Sequence, residues 1–142
     1  MNRKILTIQQ VQYIAHELAS KYMEWNEPIP DFSTRFPNIL ESCLLVPFQT
    51  FDGKDIYKGL VGKASILFYL MIKNHPFQNG NKRLAVTTLL VFLMMSDKWL
   101  KVSNQEFYNF AVWVAQSSPK FKDHVIGAIK QFIKSSLIDF KE

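Results

Sequence analysis

Two strongly apolar segments, KASILFYLMIKN at 63–74 and KRLAVTTLLVFLMM at 82–95, stand only seven residues apart. Each is long enough for about three turns of helix. Both are apolar almost all round, and helices of that kind belong in the centre of a bundle. A chain of 142 residues with 48% hydrophobic content can close one core around such a pair without covalent staples. The expectation is an all-α, compact helical bundle forming a single domain over residues 1–142.

The flanking sequence supplies the rest of the bundle. Thr7 with Gln10 reads as a capping box, and Val11, Ile14, Ala15 and Leu18 follow on one face. Pro28 and Pro30 end that helix. A second, short helix is predicted over 35–45 with Phe36, Ile39, Leu40, Cys43 and Leu44 turned inward, and Pro47 stops it. Residues 48–57, FQTFDGKDIY, place aromatic and β-branched residues on both sides of Asp52-Gly53, the dipeptide of a tight hairpin turn. This is the only hairpin signal. Downstream, Ser103 and Glu106 read as another capping box, with Val102 and Phe107 stapled across it. A last helix carries Phe121, Val125, Ile129, Phe132 and Ile133 at helical spacing.

Several function classes are excluded at this level. One cysteine, Cys43, cannot make an internal disulfide, and the three histidines show no zinc-ligand spacing. No signal peptide is read at the start, and the longest uncharged apolar run, 84–96, is short for a membrane span. A soluble, cytoplasmic protein without membrane contact is expected. The net charge of +5 favours anionic partners without naming one. The lysine-rich last helix lacks interleaved aromatics, so no nucleic-acid role is expected of it. His16 and His124 read as ordinary surface or half-buried histidines, and Cys43 as core.

The chemistry sits in the connection, HPFQNGNKR at 75–83. Pro76 disfavours helical geometry at His75, so the loop feeds a helix starting near Asn81 or Lys82. Such a start has unpaired N–H groups and the positive end of the helix dipole, and Gly80 lets those amides curl around an anion. Lys82 and Arg83 add full charges, and an arginine fork matches phosphate oxygens. An imidazole beside a bound phosphate can take the proton of a hydroxyl nucleophile, the role open to His75. On the residues alone two readings stand. One is phosphoryl or nucleotidyl transfer; the other is a plain turn in which His75 caps a helix and Lys82 and Arg83 are solvated.

HPFQNGNKR resembles the signature of the Fic/Doc family, HPFx(D/E)GN(G/K)R in Fic proteins and HxFxDANKR in Doc toxins; it matches the Fic form at every defined position except Asn79, and Gly80 follows the Fic pattern. The resemblance covers about residues 37–116 and, through Lys82, is closer to Doc. It implies that His75 deprotonates a target hydroxyl and that Phe77 pins the loop into the core. Asn79, Gly80, Asn81 and Lys82 match the nucleotide-binding loop, and Arg83 the arginine that steadies the transition state. It also implies ATP and Mg²⁺ as cofactors. Lysine at position 82 corresponds to members that transfer the γ-phosphate, so kinase chemistry is favoured over AMP transfer.

The hairpin resembles the family's flap, so Phe48, Gln49, Thr50, Phe51, Asp52, Gly53, Lys54, Asp55, Ile56 and Tyr57 are expected to hold an extended stretch of the target by strand addition. Partners implied are a target protein, a component of the translation apparatus, and an antitoxin chain. Asn79 stands where the family has an acid that binds Mg²⁺, and an amide oxygen can ligate a hard cation but brings no charge. The alternatives are therefore an AMP transferase or a weakly catalytic nucleotide-binding module. A self-inhibitory motif is sought at 20–24, where Ser20 and Glu24 have the spacing but Trp25 replaces the glycine or asparagine.

Overall fold

A computed structural model describes residues 5–22 and 28–140. The chain opens with α1 (Ile8–Tyr13), passes through a π-helical turn (Ile14–Leu18) and continues as α2 (Ala19–Tyr22). The capping box forms at its start: the Gln10 amide donates to Thr7 Oγ1 at 3.1 Å and the Thr7 amide to Gln10 Oε1 at 2.7 Å. A 3₁₀ turn (Phe32–Thr34) and α3 (Pro37–Leu45) follow. Asp31 caps the turn by accepting from the Ser33 N–H, which holds its carboxyl below the usual range. Proline at the first position of α3 costs nothing, because that N–H has no helical partner.

Next come β1 (Thr50–Phe51) and β2 (Lys54–Asp55), paired antiparallel with Thr50 opposite Asp55. Both turn residues, Asp52 and Gly53, have positive φ (54° and 76°), the geometry that matches the twist of a two-residue hairpin. The two apolar segments become α4 (Gly59–Lys73) and α5 (Asn81–Met94), which pack on each other. Every residue from 62 to 72 in α4 is buried, as a helix apolar all round requires. Around α4 lie α3, α6 (Asn104–Gln116) and α7 (Lys122–Ser136). An aromatic stack joins α4, α6 and α7: Phe110 lies parallel to Phe132 at 4.1 Å, and Phe68 lies beyond it at 6.3 Å.

The fold is all-α with small strand pairs, and it departs from the sequence reading in four places. A second antiparallel pair, β3 (Lys98–Leu100) with β4 (Leu137–Asp139), joins segments separated by α6 and α7, so no local turn signal announces it. Phe36 and Ile39 do not face inward: they are 43% and 37% exposed, because α3 buries only the stripe of Leu40, Cys43 and Leu44. Phe121 is exposed, since it lies in a 3₁₀ turn (Pro119–Phe121) before α7 begins. At α6 only half a capping box forms. Ser103 Oγ accepts from the Glu106 N–H at 3.1 Å, while the Glu106 carboxylate takes the Ser103 hydroxyl proton at 3.0 Å instead of reaching back to the backbone.

A half-buried cation does structural work. Lys73, at the end of α4, donates to the carbonyls of Ala115 (3.2 Å) and Ser117 (2.5 Å), capping the C-terminus of α6. Among the described residues no helix is long and apolar enough to cross a membrane.

Cys43 is fully buried, and burial pushes its thiol up to about 11 from 9.0. At pH 8 native protein should react with a thiol reagent about a hundredfold more slowly than protein unfolded in guanidinium, since thiolate is the reacting form. The cost of keeping this thiol neutral appears only as pH rises from 9.0 through about 11, where the unfolded chain ionises first.

Candidate functional site

Two helix ends meet at the 75–83 connection. Helix α4 ends at Asn74, whose N–H still reaches the Leu70 carbonyl at 2.9 Å. His75 then adopts φ +51°, a left-handed conformation uncommon for a residue with a side chain, and its ring side is exposed. The Pro76 carbonyl accepts the Phe36 N–H at 2.8 Å, which ties the loop to the start of α3. Phe77 is buried, with its ring 6.1 Å from that of Phe32.

Asn81 closes the loop. Its Oδ1 accepts from the Phe77 N–H at 3.0 Å and its Nδ2 donates to the Phe77 carbonyl at 2.8 Å. Both ends of its side chain are thus engaged with the loop's own backbone. Gly80, at φ +72°, precedes α5, and its carbonyl accepts the first helical bond, from Leu84 N–H at 2.9 Å. Glycine is required there twice over. The conformation disfavours a side chain, and a Cβ would lie 2.9 Å from the Pro28 carbonyl oxygen and 3.2 Å from Ile29. Asn79 Oδ1 accepts the Gly80 N–H at 2.8 Å.

The cations follow in the first turn of α5: Lys82 is half-buried and Arg83 only 8% exposed. The structure therefore gathers His75, Asn79, Gly80, Lys82 and Arg83 around one helix N-terminus. Its dipole and its amides favour a negatively charged group. The residues present suit the phosphates of a nucleotide. They suit a protein-held Mg²⁺ poorly, because Asn79 carries no charge and its oxygen is taken by Gly80. Among the described residues no three His, Cys, Asp or Glu side chains cluster as metal ligands.

The base of the hairpin is tied to α4. Asp55 and Tyr57 are held at the beginning of α4 by Lys63, whereas His75 follows the end of that helix. Ten residues of rigid helix between Lys63 and Lys73 amount to about 15 Å. Phe48 packs on Phe92 near the end of α5. Pro28 to Pro30 also reaches the loop, against Gly80; the two prolines marked it in the sequence only as a helix stop. Sequence reading also missed Lys63. It is 7% exposed and donates to Asp55 Oδ2 at 3.0 Å and the Tyr57 carbonyl at 2.5 Å, and a lone cation opening an apolar helix gave no sign of that.

His16 packs edge-on against Phe32 at 5.9 Å, and His124 is exposed on α7; neither joins the loop. In the sought self-inhibitory motif, Ser20 Oγ bonds the Ala15 carbonyl, and Glu24 and Trp25 lie outside the described residues.

A family model described as Fic/DOC family matches residues 5–93, which is well over half of the chain and ends inside α5. No curated protein and no solved structure matches.

Removing the Asn81 clasp should leave the buried Phe77 N–H and carbonyl unpaired. Asn81→Ala should lower unfolding free energy by about 2–4 kcal/mol in urea titrations, as expected for two buried groups losing their partners. Gly80→Ala should cost about 1–3 kcal/mol, from the left-handed conformation and the displaced Pro28 carbonyl.

Proposed function

The chain belongs to the Fic/DOC family, and from that premise we propose that it is a Doc-like protein kinase, transferring the γ-phosphate of ATP to a hydroxyl of a target protein. Membership supports transferase chemistry in the general sense. The finer reading rests on one observation: a left-handed Gly80 opens α5 with Lys82 and buried Arg83 in its first turn, while His75 is exposed at the mouth of the same loop.

The residues divide the work as follows. The main-chain amides of 81–83 and the Arg83 guanidinium bind and orient phosphate oxygens, lowering the repulsion an attacking oxygen meets. Lys82 adds a point charge on the side where the transferred group is held. His75 takes the proton of the target hydroxyl as its oxygen bonds to the γ-phosphorus. The bond from that phosphorus to the β,γ-bridging oxygen breaks, ADP leaves, and the imidazolium returns its proton to solvent. ATP supplies the phosphoryl group and, in complex with Mg²⁺, brings its own metal, since Asn79 provides no acid to hold one.

By the same reading the target belongs to the translation apparatus of a bacterial cytoplasm, and an antitoxin chain silences the protein. A second reading, a nucleotide-binding module with little turnover, is favoured by the Asn79 oxygen resting on Gly80.

Incubation with a bacterial extract and ATP labelled at the α or γ position separates these. γ-label on protein is expected; α-label alone would make the protein an AMP transferase, and nucleotide binding without transfer would favour the module. His75→Ala should reduce transfer by at least about a thousandfold while nucleotide affinity stays unchanged, the scale of losing a general base. Asn79→Asp should lower the Mg²⁺ concentration for half-maximal transfer by about tenfold, read by titration at fixed ATP.

A further inference from the structure

We infer that Asn79 is a site of self-modification, where attack by the Gly80 peptide nitrogen converts the carboxamide to a carboxylate with water as the only co-reactant. The conversion stands independently of the kinase reading. Its effect on nucleotide binding rests on that reading of the loop.

Of the chain's asparagines only Asn79 is followed by glycine. Glycine has no Cβ to stand between its own nitrogen and the preceding side chain, so a five-membered ring closes there with least hindrance. In the fold the two groups already touch. Asn79 Oδ1 accepts the Gly80 N–H at 2.8 Å, which lays the carboxamide against the nitrogen that attacks it. Asn81, in the same loop, is the contrast: both ends of its side chain are engaged four residues back, on Phe77. Asn79 is also exposed, so water reaches the carboxamide and ammonia can leave.

The attacking species is the peptide nitrogen stripped of its proton, an anion. It forms at the start of α5, where the helix dipole and the charges of Lys82 and Arg83 favour negative charge. The Gly80 nitrogen bonds to Asn79 Cγ, the Cγ–Nδ2 bond breaks, and ammonia leaves carrying the proton that the nitrogen gave up. A succinimide remains, and water opens it at either carbonyl. Opening at Cγ restores the main chain and leaves aspartate; opening at the main-chain carbonyl leaves isoaspartate, with an extra methylene in the backbone.

The loop discriminates between these products. It is anchored by the Phe77–Asn81 clasp and by Gly80 against Pro28, and a backbone longer by one carbon does not fit between those anchors. Aspartate fits, and accepts the Gly80 N–H with a charge-assisted bond. The conversion therefore adds a full negative charge beside the first amides of α5 without changing the loop's course. A phosphate then meets repulsion unless a cation accompanies it.

The test is intact-mass measurement and peptide mapping of full-length protein held for weeks at pH 8, beside the free peptide HPFQNGNKR. Residue 79 should gain about one dalton, the change from amide to acid. Asn38, Asn104 and Asn109, exposed but not followed by glycine, should keep their mass. The folded protein should convert at least as fast as the peptide and give a higher ratio of aspartate to isoaspartate. Asn79→Gln, which has to close a six-membered ring, should stay unmodified. Aged protein and Asn79→Asp should both bind ATP in EDTA at least about threefold more weakly than fresh protein, the effect of one added charge near the phosphates. If the protein keeps its asparagine while the peptide converts, or if the product ratio equals the peptide's, the inference is wrong and the kinase reading is untouched. If aspartate forms and ATP binding in EDTA does not change, the modification stands and the reading of this loop as the nucleotide site falls.

Discussion

The side chain of Asn81 gives both of its hydrogen-bonding ends to one residue, Phe77, and so acts as a piece of backbone inside a loop too short to pair with itself. Everything at the site depends on that closure. Phe77 can be buried only if its N–H and carbonyl are satisfied, and with Phe77 fixed against Phe32 the loop cannot swing. Gly80 then has one position, and α5 one starting amide. Because α4 is buried along nearly all of its length, the loop's other end is equally fixed. The strain at His75, left-handed without being glycine, is held between these two anchors.

The cations also change meaning once their partners are known. A net charge of +5 suggested an anionic partner, yet Lys63, Lys73 and Lys98 are all engaged within the protein. Lys63 holds the hairpin to α4, Lys73 caps α6, and Lys98 pairs with Asp139, whose carboxyl it keeps below the usual range. Lys63 is the buried one of the three, and a buried ammonium must be paired to be tolerated, so its bonds are part of the fold. Under the proposed reading the positive charge that bears on function is the short run Lys82 and Arg83, in the first turn of α5 behind the left-handed Gly80.

What was legible in the sequence was whatever depends on neighbours along the chain. The central helix pair, the Thr7 cap, the Asp52-Gly53 turn and the loop motif could all be read because each is set by residues within one or two turns. What was not legible depends on distant partners. The β3–β4 pair joins segments on either side of two helices. Phe36 and Ile39 have core-like spacing but face outward, since periodicity reports one apolar face and cannot say how wide a stripe the neighbours cover. The hairpin turn was legible because Asp52-Gly53 sets it locally, whereas its attachment to α4 through Lys63 depends on a partner the pattern does not show.

Asn79 can be considered apart from the fold. Its oxygen accepts the Gly80 N–H, and an aspartate carboxylate would accept the same proton with a stronger, charge-assisted bond. The loop therefore does not need asparagine for its shape, and what position 79 sets is charge. A neutral side chain there removes an acid that would attract a metal. It also removes a negative charge that would repel phosphate from Gly80, Lys82 and Arg83. A phosphate oxygen is in turn a better partner for the Gly80 N–H than a neutral carboxamide, so exchanging one for the other is favourable. Under the proposed kinase reading, the neutral side chain would weaken the protein's own hold on a metal while leaving the loop more receptive to a nucleotide that carries one.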